Sequence, residues 1–248
     1  MSTSPGFGTV PLLPGTEPLP ELEVPPPGRQ NRCGVLLRLL VLLPHALVLL
    51  ALAVAAVPAA VAAWCGALLL GRAPEPLERF LAAFVAYEAR WAASAMLLTD
   101  RLPPLLPGGP LAHPVQLRLH SGPLNRAAVL LRPLLMLPAV LVGAVVTAGW
   151  WAVSFLSWLV VLVLGRMPLP LFGASAAVLR YRMRVGAYVL LLSSAYPKRL
   201  FGDQGSVDSA IGVVRGPSGT RPLFLGASAK VLLGAFLVLG AVGWAVSP

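Results

Sequence analysis

Two stretches decide how this chain is read: LLLGRAPEPLERF at residues 68–80 and LVLGRMPLPLFGA at residues 162–174. Each leaves a long apolar run through Gly-Arg, then sets two prolines two residues apart before another helix-like segment. A glycine just past an apolar run stops a helix, because it enters the left-handed region without a Cβ clash. Prolines beyond it cannot continue that helix and pre-set the first turn of the next one. The pattern predicts a hinge, and the chain writes it twice.

Working outward from the hinge, a shift of 94 residues lays 28–108 on 122–202 without a gap. Matched pairs include Asn31/Asn125, Arg32/Arg126, Arg38/Arg132, Pro44/Pro138, Trp64/Trp158, Gly71/Gly165, Arg72/Arg166, Tyr87/Tyr181, Arg90/Arg184 and Pro103/Pro197. Shared leucines could come from composition, but Gly, Pro, Trp and Arg in register mark a duplication. In each copy a polar lead-in with Asn-Arg precedes Arg38 or Arg132, which opens the apolar run. Pro44 or Pro138 falls near its start, where a broken turn is tolerable. The second helix covers roughly 77–98 or 171–193.

Residues 39–70 and 133–164 carry no Asp, Glu, Lys or Arg. At about 1.5 Å per residue, either run exceeds the roughly 20 residues needed to cross a bilayer. A third, shorter run covers 231–246, with Lys230 at its start able to snorkel. The whole chain is 57% hydrophobic and 11% charged, with a mean hydropathy of +0.81. These features predict an all-α integral membrane protein: a duplicated unit of a long transmembrane helix plus a charged amphipathic helix, closed by a C-terminal transmembrane helix. The expected divisions are a disordered Pro-rich acidic tail at 1–27, unit 1 at 28–108 and a connector at 109–121. Unit 2 at 122–202, a Gly/Ser-rich linker at 203–229 and the last helix at 230–248 follow. VQLRL at 115–119 alternates like a short strand, and LEV at 22–24 is a weaker counterpart.

Several motifs carry a resemblance. Arg-x5-Pro-His at 38–45, Gly-Arg-x-Pro at 71–74, Tyr-x-x-Arg at 87–90 and Leu-Leu-Thr-Asp-Arg-x-Pro at 97–103 resemble bacterial membrane proteins of the domain of unknown function family 4389. Arg-Tyr-x-x-Arg at 180–184 and Ala-Tyr-x-Leu-Leu-Leu at 187–192 do the same. The resemblance covers about 28–202. It departs at Ala139, where the family commonly has His, and at Ser194, where it has Asp. It implies class and architecture and brings no activity.

The second helices pose the topological question. In 77–98, Leu77, Phe80, Leu81, Phe84, Trp91 and Leu98 share one sector, with Arg79 and Arg90 to its side and Glu88 interrupting the stripe. Arginines at bilayer centre cost roughly 2.5–3.5 kcal/mol each. An interfacial second helix, and hence three spans, is the cheaper expectation. Five spans is the alternative, because it gathers positive charge on one side. Both counts are odd, so the termini are expected on opposite sides of a plasma membrane, with the N-terminus in the cytoplasm and the C-terminus outside.

The net charge of +10 does not imply nucleic acid, because the arginines flank apolar runs and no aromatic-basic platform accompanies them. Basic residues beside spans meet anionic headgroups. The candidate headgroup or anion contacts are Arg72, Tyr87, Arg90, Arg166, Tyr181 and Arg184. Glu88 and Arg182 stand at equivalent positions with opposite charge, a candidate pair between the repeats. His45 beside Pro44 is a weak proton-relay candidate. Cys33 and Cys65 lie far apart on one helix, so no intrachain disulfide is expected. The chain has nine acidic residues and three His with no metal-ligand spacing, nucleophile elbow or phosphate-binding glycine loop. Neither an enzyme nor a cofactor is expected. Alanines at four-residue spacing (55, 59, 63, 67 and 144, 148, 152) prepare helices for close packing or a homo-oligomer face. Two function classes fit: a scaffold or regulatory subunit contacting anionic lipid or a membrane partner, and a small transporter or channel.

Overall fold

The computed structural model describes residues 19–104, 113–119, 125–203, 218–220 and 222–246. The expectations for residues 1–18, and for most of the connector and the linker, lie outside these. Among the described residues the order is β1 (Glu21–Glu23), α1 (Arg32–Leu70), α2 (Glu75–Ala95), β2 (Gln116–Arg118), α3 (Arg126–Leu164), α4 (Leu169–Val189) and α5 (Ala227–Val246). Of these helices α1, α3 and α5 are long and apolar enough to cross a membrane.

The two units start and stop by the same local chemistry. Asn31 and Asn125 are the N-caps, accepting from the Cys33 and Ala127 amides at 3.1 and 3.0 Å. Both long helices therefore begin six residues before Arg38 and Arg132. They run unbroken through Pro44 and Pro58, or Pro133 and Pro138, rather than starting near the first proline. At the other end Gly71 (φ 76°) and Gly165 (φ 64°) return their N–H to Ala67 and Val161. These are the hinges expected from GRAPEP and GRMPLP. Pro76 and Pro170 then sit in the first turns of α2 and α4.

Each second helix doubles back along its own long helix. Pro74 packs against Gly66 near the end of α1, and the Tyr87 and Trp91 donors reach the His45 and Leu42 carbonyls in long bonds of 3.5 Å. Tyr181 makes the equivalent 3.4 Å contact with the Ala139 carbonyl. The two units then meet head to tail. Arg32, at the start of α1, lies beside Gly165, and its equivalent Arg126 lies beside Gly71. The Trp158 Nε1 donates to the Val35 carbonyl at 2.9 Å, while Trp64 packs with Val129 at the other end. Thus α1 and α3 run antiparallel, and a pseudo-two-fold axis perpendicular to them relates the units.

The fifth helix breaks that symmetry. It packs on α3 and α4, and its crossing with α3 is made by glycine. A Cβ on Gly149 would stand 1.7 Å from the Phe236 carbonyl oxygen, and one on Gly240 would stand 1.9 Å from that of Val145. The contact on α3 is centred on Val146, Gly149 and Trp150, all buried, with the predicted stripe of Ala144, Ala148 and Ala152 only partly buried or exposed. On α1, at the positions equivalent to Val145 and Gly149, Ala51 and Ala55 are exposed.

The expected disordered tail is wrong over its last residues. β1 pairs antiparallel with β2, setting Leu22 opposite Leu117 and Glu21 opposite Arg118. Leu22 and Val24 are buried, and Thr220 clamps the strand by accepting from the Val24 N–H and donating to the Leu22 carbonyl. Two apolar side chains within an acidic stretch supply the burial that holds it. The linker gives way likewise, because residues 218–220 pack on this strand and α5 already begins at Ala227.

Candidate functional site

One charged residue of α2 meets one of α4 at the seam between the two helices. Arg182 Nη2 lies 2.7 Å from Glu88 Oε1, joining equivalent positions of the two units across the pseudo-axis. Arg182 keeps 36% of its side chain exposed and Glu88 16%. The pair is therefore half-solvated, worth more than an exposed surface pair and less than a buried one.

The other arginines are tethers. Arg38, 3% exposed, sends Nη1 to the Thr99 carbonyl at 2.7 Å and to that of Ser94 at 3.4 Å, and Nη2 to Asp100 at 3.0 Å. It holds the chain leaving α2 against the start of α1. Arg132 does the same in unit 2, reaching the Tyr188 and Ser193 carbonyls at 3.0 and 3.1 Å. There Ser194 replaces the carboxylate, and the guanidinium instead lies 4.2 Å from the centre of the Tyr188 ring. The departure at Ser194 is thus met by a different partner for the same cation. Both second helices end with a leucine in the left-handed region, Leu97 (φ 59°) and Leu191 (φ 62°). A non-glycine residue there costs about 1–2 kcal/mol, and burial of both side chains opposes that strain.

In unit 2 a further cluster ties the C-terminal approach to α4. Arg180 Nη1 bonds Asp203 at 2.6 Å, and Asp203 also accepts the Leu223 N–H at 3.0 Å. Burial raises the affinity of the Asp203 carboxyl for its proton. The Arg180 guanidinium, the Leu223 N–H and Arg184 outweigh this and hold it below the usual carboxylate range. Arg184 donates to the Pro20 and Lys198 carbonyls at 3.2 and 2.9 Å. Burial, aided by neighbouring Arg180, lowers its pKa to about 10.

The sequence-predicted contacts therefore divide. Arg72 and Arg166 are exposed at the hinges, at opposite ends of the antiparallel pair. Tyr87, Tyr181 and Arg184 are at most 6% exposed with their polar atoms on carbonyls, so the headgroup role expected for them gives way to helix tethering. Arg90 is half-buried beside His113, and among the described residues its Nε has no hydrogen-bond partner. His45 is buried in α1, its Nδ1 3.1 Å from the Val41 carbonyl. Cys33 and Cys65 are free and exposed. The tethering role of Arg38 and Arg132 escaped the sequence reading, although their recurrence in both copies signalled a shared task.

The family described as a domain of unknown function (DUF4389) matches the chain twice, over residues 32–106 and 126–200. No curated protein and no solved structure matches it. Each family match opens within a residue of the capped start of a long helix and runs past its hinge and second helix, and together they cover more than half of the chain. The chain belongs to the DUF4389 family and carries two tandem copies of its domain.

Proposed function

We propose that the protein is a non-enzymatic scaffold or regulatory subunit of a bacterial plasma membrane, N-terminus inside and C-terminus outside, that contacts anionic lipid and a membrane partner. The observation that carries this reading is the division of its charges. The arginines of α4 are engaged within the protein by Asp203, Glu88 and backbone carbonyls. The exposed surface of α1 is apolar, with Leu47, Val54 and Val61 each at least 60% exposed, and the exposed Arg72 lies just past its end. Where α5 covers Gly149 on α3, the equivalent Ala55 on α1 is open, a face on which a partner helix of small cross-section fits.

A small transporter is the second reading, favoured by the head-to-tail arrangement of the repeats and a charged pair at their pseudo-axis. Affinity purification of the full chain in mild detergent, with protein and lipid analysis of the eluate, separates the two. The scaffold reading expects a stoichiometric partner protein and retained anionic lipid. Stabilisation by a small solute with no co-purifying partner would replace it with transport.

A further inference from the structure

We propose that the cleft between the lead-in to α1 and the end of α3 is a binding site for a phosphate group, with an anionic lipid headgroup as its ligand. The cleft has a volume of about 580 Å³ and is lined by Arg29, Gln30, Arg32, Leu164, Gly165 and Arg166. Three guanidiniums and no carboxylate face it, and among the described residues none of the three is in an ion pair. Guanidinium is the side chain best matched to phosphate oxygens, because its planar fork bonds two of them at once.

The cleft is a built feature. Residues 29 and 166 form an antiparallel bridge, and the Gln30 N–H bonds the Gly165 carbonyl at 2.8 Å. The left-handed Gly165 turns the chain so that Arg166 emerges beside Arg29. A helix C-terminus repels anions, and that repulsion is answered here. The Val161 carbonyl is taken by the Gly165 N–H and the Val163 carbonyl by Arg32 Nη2 at 3.0 Å. Among the described residues no hydrogen bond or ion pair takes the Arg29 and Arg166 side chains, which leaves them for a ligand.

Its surroundings indicate where the phosphate comes from. Leu164 in its lining, the preceding Val163, Leu36 one turn beyond Arg32 and Leu169 three residues beyond Arg166 are all more than half exposed. The cleft therefore opens at the end of a membrane-length apolar surface, where acyl chains give way to headgroups. The pseudo-two-fold axis supplies an internal comparison. At the opposite hinge Arg126 lies by Gly71, followed by Arg72, but Pro123 occupies the position equivalent to Arg29. Two arginines there against three here make the first cleft the stronger site.

This inference rests on the proposal that the chain contacts anionic lipid, and the test separates the two. The full chain is placed in nanodiscs of phosphatidylcholine with phosphatidylglycerol, and lipid retained after detergent exchange is counted by native mass spectrometry. A parallel arm offers inorganic phosphate to the chain in pure phosphatidylcholine and reads thermal stability. R29Q/R166Q is compared with wild type and with R79Q/R118Q, which removes two exposed arginines away from the hinges, and the single R29Q serves if the double variant fails to fold. The expected result is about one phosphatidylglycerol held per wild-type chain, with retention at least tenfold lower in R29Q/R166Q and within twofold of wild type in R79Q/R118Q. Stabilisation by inorganic phosphate that disappears in R29Q/R166Q, without lipid retention, keeps the phosphate site and overturns the lipid source. Equal retention by R29Q/R166Q and wild type overturns the cleft and leaves general lipid contact standing. Wild type that retains no phosphatidylglycerol and gains nothing from phosphate overturns both.

Discussion

Replacing Gly149 by alanine probes the closest approach made at any glycine among the described residues. The added Cβ would stand 1.7 Å from the Phe236 carbonyl oxygen and 2.5 Å from its carbon. A carbon–oxygen contact settles at about 3.3–3.6 Å, so α5 must back away from α3 by roughly 1.5 Å. Neither obstruction can rotate aside, because both atoms belong to a helix backbone. A gap of 0.5–1 Å already forfeits a quarter to a half of each dispersion contact. In lipid, where no hydrophobic drive holds helices together, those contacts are most of what binds α5. Overpacking of this kind costs about 1–3 kcal/mol, and the backbone clash puts Gly149→Ala at about 3, a loss of roughly 6–12 °C in Tm for a chain of this size. Gly234→Ala, on the same fifth helix with nothing within 4 Å of its Cβ, is the control and should be neutral. Thermal melts in nanodiscs read the global effect, and hydrogen exchange over 227–246 reads release of α5. Equal Tm and equal exchange for the two variants would refute the close crossing.

Three further outcomes follow from the seam and its tethers. Reversing one charge, E88R or R182E, should destabilise the chain by about 1–2 kcal/mol, between exposed and buried pairs, and the double swap should restore most of it; chemical denaturation of all four proteins measures the coupling, and absence of rescue removes the pair as a seam contact. Arg38→Lys should cost about 1–3 kcal/mol, since one ammonium cannot reach the Thr99 carbonyl and Asp100 together, with exchange rising first over 94–101. Asp203 is held below its unfolded value of about 3.9, so its contribution is full above that pH and is lost as pH falls through the native value. Protection of the Leu223 amide should therefore collapse on acidification below about pH 4, and Asp203→Asn should abolish that dependence.

Much of this architecture was legible in residue order because local chemistry dictates it. Gly71 and Gly165 end helices for lack of a Cβ, which needs no tertiary context, whereas Asn31 and Asn125, read as part of a polar lead-in, begin the helices as caps. The Glu88–Arg182 pair was legible through the duplication, since equivalent residues of two units can meet at an axis. The fate of Tyr87, Tyr181 and Arg184 was not. A Tyr-x-x-Arg spacing reads alike whether its polar ends meet headgroups or carbonyls, and only the return of α2 and α4 along α1 and α3 decides. Gly149 and Gly240 were hidden for a related reason. Glycine in an apolar helix announces a close approach only when its partner is known, and the alanine stripes beside it look equally suited.

The Glu88–Arg182 contact also constrains how such a chain arose. In a symmetric dimer of single units, a residue on the axis faces its own copy. Position 88 would then set glutamate against glutamate, and position 182 arginine against arginine, at the 2.7 Å spacing seen here. Only once the unit existed in two copies that could change separately could the facing residues diverge to opposite charge. A protein of this family that carries one unit and pairs with itself should therefore hold a neutral side chain at this position. The fused chain, having made its two halves different there, can no longer exchange them.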